Sequence, residues 1–140
     1  MTPVNTTTAD FGVEATFTVQ AYDVDGAGLA HEAAHLRWLA ALRDALLCQA
    51  LSEISAPYVP RLVTSCVDYW HPLKKAEPLQ GRMWLANLGE TQWTLQARLS
   101  TSAHTVAVAT QRGHYLDPST LQTLVLPSET LKTYWEAQWC

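Results

Sequence analysis

Charge is scarce in this chain: 16 % of its 140 residues are Asp, Glu, Lys or Arg, and the formal net charge is −4. Together with 48 % hydrophobic residues, that excludes a disordered or supercharged polypeptide. Cations are fewer still, nine Lys and Arg against thirteen Asp and Glu. They form no stripe interleaved with aromatics, so nucleic acid is not an expected partner. The three cysteines, Cys48, Cys66 and Cys140, are odd in number and lack CxxC spacing. Free thiols in a reducing, cytoplasmic compartment fit them better than a disulfide scaffold. No apolar run approaches the ~20 residues that span a bilayer. The segment from Met1 to Asp10 is polar and Thr-rich, with no apolar stretch of the kind a signal peptide needs. It reads as a flexible leader, and residues 11–140 as one domain without repeats or an internal linker.

What the chain does contain is an ordered succession of patterns. Phe11 to Ala21 is rich in β-branched and aromatic residues and predicts a first strand. The stretch Tyr22 to Gly28 follows, where two aspartates and two glycines predict a tight, irregular turn. From His31 to Ser52 there is neither Gly nor Pro, and Ala and Leu dominate, which predicts a long helix. Its apolar positions cover most of the circumference, the pattern of a buried helix. Four strands are then expected: Val59–Tyr69, Leu79–Leu88, a period-two stretch around Trp93–Leu99, and Thr105–Tyr115. A hairpin turn is expected at Asn87–Glu90, and a short helix after Pro127. One helix and several sequential strands make an α+β arrangement, with the sheet curled around the helix. The remaining sheet face or edge calls for cover from another subunit.

The residues Phe17 to Gly28, with Leu36–Leu39 and Arg43 beyond them, resemble the 4-hydroxybenzoyl-CoA thioesterase family. In that family a strand ends in an Asp, a Gly follows three residues on, and the central helix begins shortly after. Asp25 and Gly28 stand at those spacings, and the resemblance extends over roughly Phe11 to Pro127. It implies a hotdog fold, a homodimer or homotetramer, and hydrolysis of an acyl-CoA or acyl-carrier-protein thioester with no cofactor. It also implies that Asp25 is the catalytic carboxylate and that backbone amides at the helix start, Glu32 first and His31 nearby, bind the oxyanion. The chemistry is consistent, since a carboxylate can attack the carbonyl or activate water and a helix N-terminus offers free N–H groups. Where relatives commonly carry Asn, Tyr or His, this chain has His31 and Glu32, so a carboxylate lies beside developing negative charge. A non-catalytic acyl-CoA-binding protein is the alternative within the same fold.

A competing motif overlaps the helix start: His31-Glu32-Ala33-Ala34-His35 is a literal HExxH, the pattern of a zinc peptidase. A catalytic zinc needs a third protein ligand. The extended motif is broken by Trp38 and Ala41, and Glu53 lies about eighteen residues beyond His35, or roughly 27 Å along a continuous helix. No metal is therefore expected, and the two histidines read as helix-start residues. Asp23 reads as a structural turn residue, and Arg43 as a cation paired inside an otherwise apolar helix. Lys74 and Lys75, on the loop after His71-Pro72, are candidates for the phosphates of the substrate. Trp38, Trp70, Trp84 and Trp93 are core or interface candidates.

Overall fold

A computed structural model describes residues 5–7, 12–51 and 58–126. Strands β1 (Asn5–Thr7) and β2 (Gly12–Thr18) come first, then helix α1 (Glu32–Ala50). Strands β3 (Val59–Tyr69), β4 (Pro78–Leu88), β5 (Gln92–Ser100), β6 (Thr105–Leu116) and the two-residue β7 (Thr123–Leu124) follow. All pairings are antiparallel, in the order β1-β2-β4-β5-β6-β3, with β7 extending the sheet beside β6. The expected helix and five main strands are therefore present. The helix expected after Pro127 falls outside the described residues.

The helix demands curvature of this sheet. Trp38 on α1 lies 6.2 Å (ring centroids) from Phe17 on β2, while His35, one turn earlier, lies 4.9 Å from Tyr69 on β3. Those strands are four steps apart, about 19 Å in a flat sheet at ~4.8 Å per step. A helix only ~10 Å across can touch both only if the sheet folds around it. Alternation supplies the surface it rests on: Val13, Ala15 and Phe17 on β2, Leu79, Met83 and Leu85 on β4, and Trp93, Leu95, Ala97 and Leu99 on β5 are all buried in one cluster. Gly81 is required there, because a Cβ would lie 2.8 Å from a methyl of Leu42 on α1.

Two expectations need correction. Within the segment read as a flexible leader, Asn5–Thr7 pairs with Gly12–Glu14 as a short edge strand. Thr-rich sequence suits such an edge, and the outer side of β2 has backbone groups to satisfy. The helix is buried along one side rather than all round: Ala34, His35, Trp38, Leu39, Leu42 and Leu46 face the sheet, while Leu36 is 44 % exposed. A single curled sheet can cover only part of a cylinder. Pro60 lies inside β3 opposite Tyr115, within the expected strand. Its missing N–H is tolerated because β3 is the last strand of the sheet.

Candidate functional site

The turn expected between β2 and α1 is built in two layers. First comes a single 3₁₀ turn, Ala21–Asp23, whose Asp23 is fully buried. Asp23 Oδ2 accepts from the Gln20 amide at 2.8 Å, and Oδ1 accepts from the Arg37 guanidinium on α1. Arg37 also lies over the Tyr22 ring, 5.0 Å from its centroid. The second layer is a small hairpin: Val24 pairs with Ala30, the Asp25 amide donates to Leu29 O at 2.8 Å, and Gly28 N–H donates to Asp25 O at 3.0 Å. Gly28 has φ +80, a left-handed conformation that strains any residue with a Cβ.

Asp25 sits at the head of this hairpin, exposed. Its Oδ1 accepts from the amides of Ala27 (2.8 Å) and Leu29 (3.2 Å). The side chain is thereby oriented by its own loop, which is the ordinary behaviour of an Asx turn. The same bonds hold a carboxylate at a fixed angle in the open. The return leg of the hairpin runs directly into the helix cap.

That cap is His31. Its amide donates to Asp23 O at 3.0 Å, its Nδ1 accepts from Ala34 N–H at 3.2 Å, and its Nε2–H donates to Tyr22 O at 3.3 Å. Of the two amides expected to bind an oxyanion, the His31 amide is thus already committed. Among the described residues, nothing accepts from the amides of Glu32 and Ala33 in the first turn of α1. The Glu32 amide, the first of the two expected donors, is therefore uncommitted, and so is that of its neighbour Ala33, which the sequence reading did not include.

The same bonds decide what HExxH does here. A neutral imidazole has one nitrogen lone pair, and in His31 it faces the Ala34 amide. His35 donates Nδ1–H to His31 O at 2.9 Å and packs edge-on against Trp38 (5.3 Å) and Tyr69 (4.9 Å). Burial holds its pKa below the ordinary histidine value, partly offset by the bond to the His31 carbonyl and by the Glu32 carboxylate. The motif is a cap followed by a core histidine. Among the described residues, no three His, Cys, Asp or Glu side chains converge as a metal site would require.

Lys74 is joined to this loop through the backbone: Leu29, which holds Asp25, bridges to Lys74, and Ala30 N–H donates to Leu73 O at 2.8 Å. Lys74 and Lys75 line an open groove of about 1020 Å³ together with Leu29, the start of β4 and the turn from Ser100 to His104. Asp25 is not in the groove wall; it lies one backbone pair away. Arg43 donates to Gln111 Oε1 at 2.9 Å, and Gln111 Nε2–H donates to Ser65 Oγ at 3.1 Å. That meets the expectation of a paired cation, with an amide oxygen as its acceptor. Trp38 and Trp93 are core residues, whereas Trp70 is 65 % exposed at the end of β3.

Sequence reasoning missed the Asp23–Arg37 clamp and a stacked pair of imidazoles, His71 and His104, with centroids 3.7 Å apart. Neither pair has a recognisable spacing. Only an unpaired acid before the turn and an arginine in the helix hinted at the first.

Residues 19–133 match a protein family described as the thioesterase-like superfamily. No curated protein sequence matches the chain. Solved structures with the same fold include the 1,4-dihydroxy-2-naphthoyl-CoA thioesterase of Synechocystis, at 18 % identity over 92 % of this chain and 96 % of that one, TM-score 0.72. The gentisyl-coenzyme A thioesterase BH1999 is 16 % identical over 91 % and 99 % of the two chains, TM-score 0.71. A Staphylococcus aureus protein solved in complex with CoA is 10 % identical over 99 % and 85 %, TM-score 0.76.

Proposed function

Because the chain belongs to the thioesterase-like superfamily, with a hotdog arrangement of one helix in a curled sheet, we propose that it hydrolyses an acyl-CoA thioester through Asp25. In this reading Asp25 attacks the thioester carbonyl or draws a proton from the attacking water. The Glu32 amide receives the oxyanion and the C–S bond breaks to release the thiol; if water attacked, the acid is formed in the same step, and if Asp25 attacked, a water then hydrolyses the resulting anhydride to the acid and restores Asp25. One observation carries it. An exposed carboxylate, oriented by two amides, stands at the head of a hairpin that leads straight into a helix start with two uncommitted N–H groups. Lys74 and Lys75 meet the phosphates of the substrate from the adjoining groove.

The active assembly is a homodimer or homotetramer. Among the described residues β3 pairs only with β6, which leaves one edge of a strand of eleven residues without a described partner. Val59, Val63, Tyr69 and Trp70 along it are 44–65 % exposed. An edge so long and apolar invites strand pairing with a second copy. A cytoplasmic location fits the substrate and keeps the exposed thiols of Cys48 and Cys66 reduced. Among the described residues, no helix is long and apolar enough to cross a membrane.

The test is thiol release from a panel of aromatic and aliphatic acyl-CoAs, with the acyl groups of the named neighbours included. Asp25→Asn keeps both loop hydrogen bonds through its amide oxygen, so the fold should persist while kcat falls by about 100-fold or more. Turnover of no thioester, or an Asp25→Asn protein as active as the parent, refutes the assignment.

A further inference from the structure

Arg43 is a half-buried cation without an acid. Its Nη1–H donates to Gln111 Oε1 at 2.9 Å, and among the described residues no carboxylate pairs with the guanidinium. A guanidinium is a planar fork of N–H donors, and one of them is used here. Its placement is nonetheless built. Gln111 is 1 % exposed, lies opposite Leu95 of the core, and gives its amide N–H to Ser65 Oγ at 3.1 Å. Burying an amide costs stability unless both of its ends are bonded, and the two bonds here hold Arg43 against the sheet.

Strand register shows what lies beside it. Ser65 and Gln111 are direct partners across β3 and β6, so they share the face that meets α1. Val67 and Tyr69 follow Ser65 on that face at the pleat's period of two, and Tyr69 packs edge-on against His35. Helix and strand therefore run side by side between two contacts. From His35 to Arg43 is about 12 Å of helix, and from Tyr69 to Ser65 about 14 Å of strand. Among the described residues the strip between them is not closed: Ser65 is exposed, Val67 half-buried, Tyr69 46 % exposed and Leu36 on the helix 44 % exposed. The result is an open cleft that starts at the first turn of α1, beside the uncommitted Glu32 amide, and ends at Arg43, roughly 16 Å along the helix.

A chain lying along Leu36, Val67 and Tyr69 is apolar, and a group that ends at an unpaired planar guanidinium is an anion. A carboxylate matches the fork best. We infer that the cleft takes the acyl chain of the thioester and that Arg43 receives a carboxylate at its far end. The preferred substrate is then the half-thioester of a medium-length dicarboxylic acid. This rests on the thioesterase reading for the place of the carbonyl, and Arg43 acts in it on specificity rather than on the reacting atoms. Charge sets the length as well as reach does. A short diacid leaves its free carboxylate beside the acid Glu32 in the first turn, whereas a longer chain carries it past.

The first measurement needs no variant. It compares kcat/KM for succinyl-, suberoyl-, sebacoyl- and dodecanedioyl-CoA with that for methyl-ended acyl-CoAs of equal length. The parent should favour the methyl end at the shortest length and the diacid by about 10-fold at the length that reaches Arg43, the scale of one charge-assisted hydrogen bond. Arg43→Met should remove that preference and Arg43→Lys should retain part of it. Arg112→Ala, an exposed cation on the opposite face of β6, should leave it intact. The second measurement reads the cleft without turnover, by calorimetric binding of sebacate and decanoate. The parent should bind sebacate about 10-fold more tightly, and Arg43→Met should lose the difference. A parent that favours no diacid at any length, or a preference that survives Arg43→Met, overturns the inference. So does an Arg43→Met protein that sediments as a smaller oligomer than the parent, because the guanidinium then meets a second copy. Selective sebacate binding that is lost in Arg43→Met, with no thioester turned over by the parent, upholds the cleft and overturns the thioesterase reading.

Discussion

Removing one member of the Asp23–Arg37 pair should destabilise the protein unequally, and the order follows from which charge is left behind. Asp23 is fully buried, whereas the Arg37 side chain is 48 % exposed. Arg37→Ala strands a carboxylate in the interior with the Gln20 amide as its remaining donor. Asp23→Ala strands a guanidinium that water already reaches, and an amide on exposed Gln20 that water can also satisfy. Breaking a fully buried pair from one side costs ~3–5 kcal/mol, and half-exposure of one partner reduces this towards the surface value. The expected losses are about 2–3 kcal/mol for Arg37→Ala and about 1–2 kcal/mol for Asp23→Ala. Part of the first, about 0.5–1 kcal/mol, is the contact with the Tyr22 ring. At about 3–4 °C per kcal/mol for a chain of this length, Arg37→Ala should lower Tm by roughly 6–12 °C and Asp23→Ala by roughly half as much. The double variant should lose less than the sum, since each single change leaves a partner unpaired. Thermal unfolding is followed by circular dichroism at one protein concentration, because an oligomer's Tm depends on concentration. Because Asp23 O also takes the His31 amide, both variants should lose kcat/KM through a loosened hairpin. Asp23→Ala costing more than Arg37→Ala, or strictly additive losses, refutes the reasoning.

Other perturbations read other parts of the molecule. His35 is held neutral by burial, so its folded-state pKa lies below its unfolded one. Its contribution to stability is present above the unfolded value of ~6.5 and is lost as pH falls through the folded value. Chemical denaturation from pH 7.5 to 5 should show that loss in the parent and a flatter profile in His35→Gln, and identical slopes count against it. Gly113→Ala would place a Cβ 2.0 Å from the Trp93 ring and 2.2 Å from Arg61 O. Trp93 is fully buried and cannot swing away, so a loss of about 3 kcal/mol or more is expected from urea titration. Sedimentation should give the parent a mass at least twice 15.5 kDa. Lysines at Val63 and Cys66 on the open edge should shift it towards the monomer, and an unchanged mass would move the interface elsewhere.

Particular residues show where information in the sequence ended. The helix was legible because twenty-odd residues without Gly or Pro and rich in Ala and Leu have only one low-energy backbone, and β5 because Trp93 to Leu99 alternate with period two. The place of Asp25, in the turn between β2 and the helix, was legible through its spacing to Gly28 and the helix, a local pattern that survives in one dimension. HExxH was equally local and misleading. Its meaning depended on what surrounds the two imidazoles, and that was decided by Tyr22 and Ala34, which take up both nitrogens of His31, and by Tyr69 and Trp38, against which His35 packs in the core. Apolar composition around the helix could not say how much of it the sheet would cover, because coverage is set by curvature. Nor could any spacing announce that His71 would stack on His104, or that Asp23 would meet Arg37. Periodicity and propensity act between residues a turn or a pleat apart, and they wrote the elements into the sequence. Pairing across the sheet and the closing of one loop on another depend on strand order and curl, so the groove, the clamp and the commitment of each amide belong to the tertiary structure.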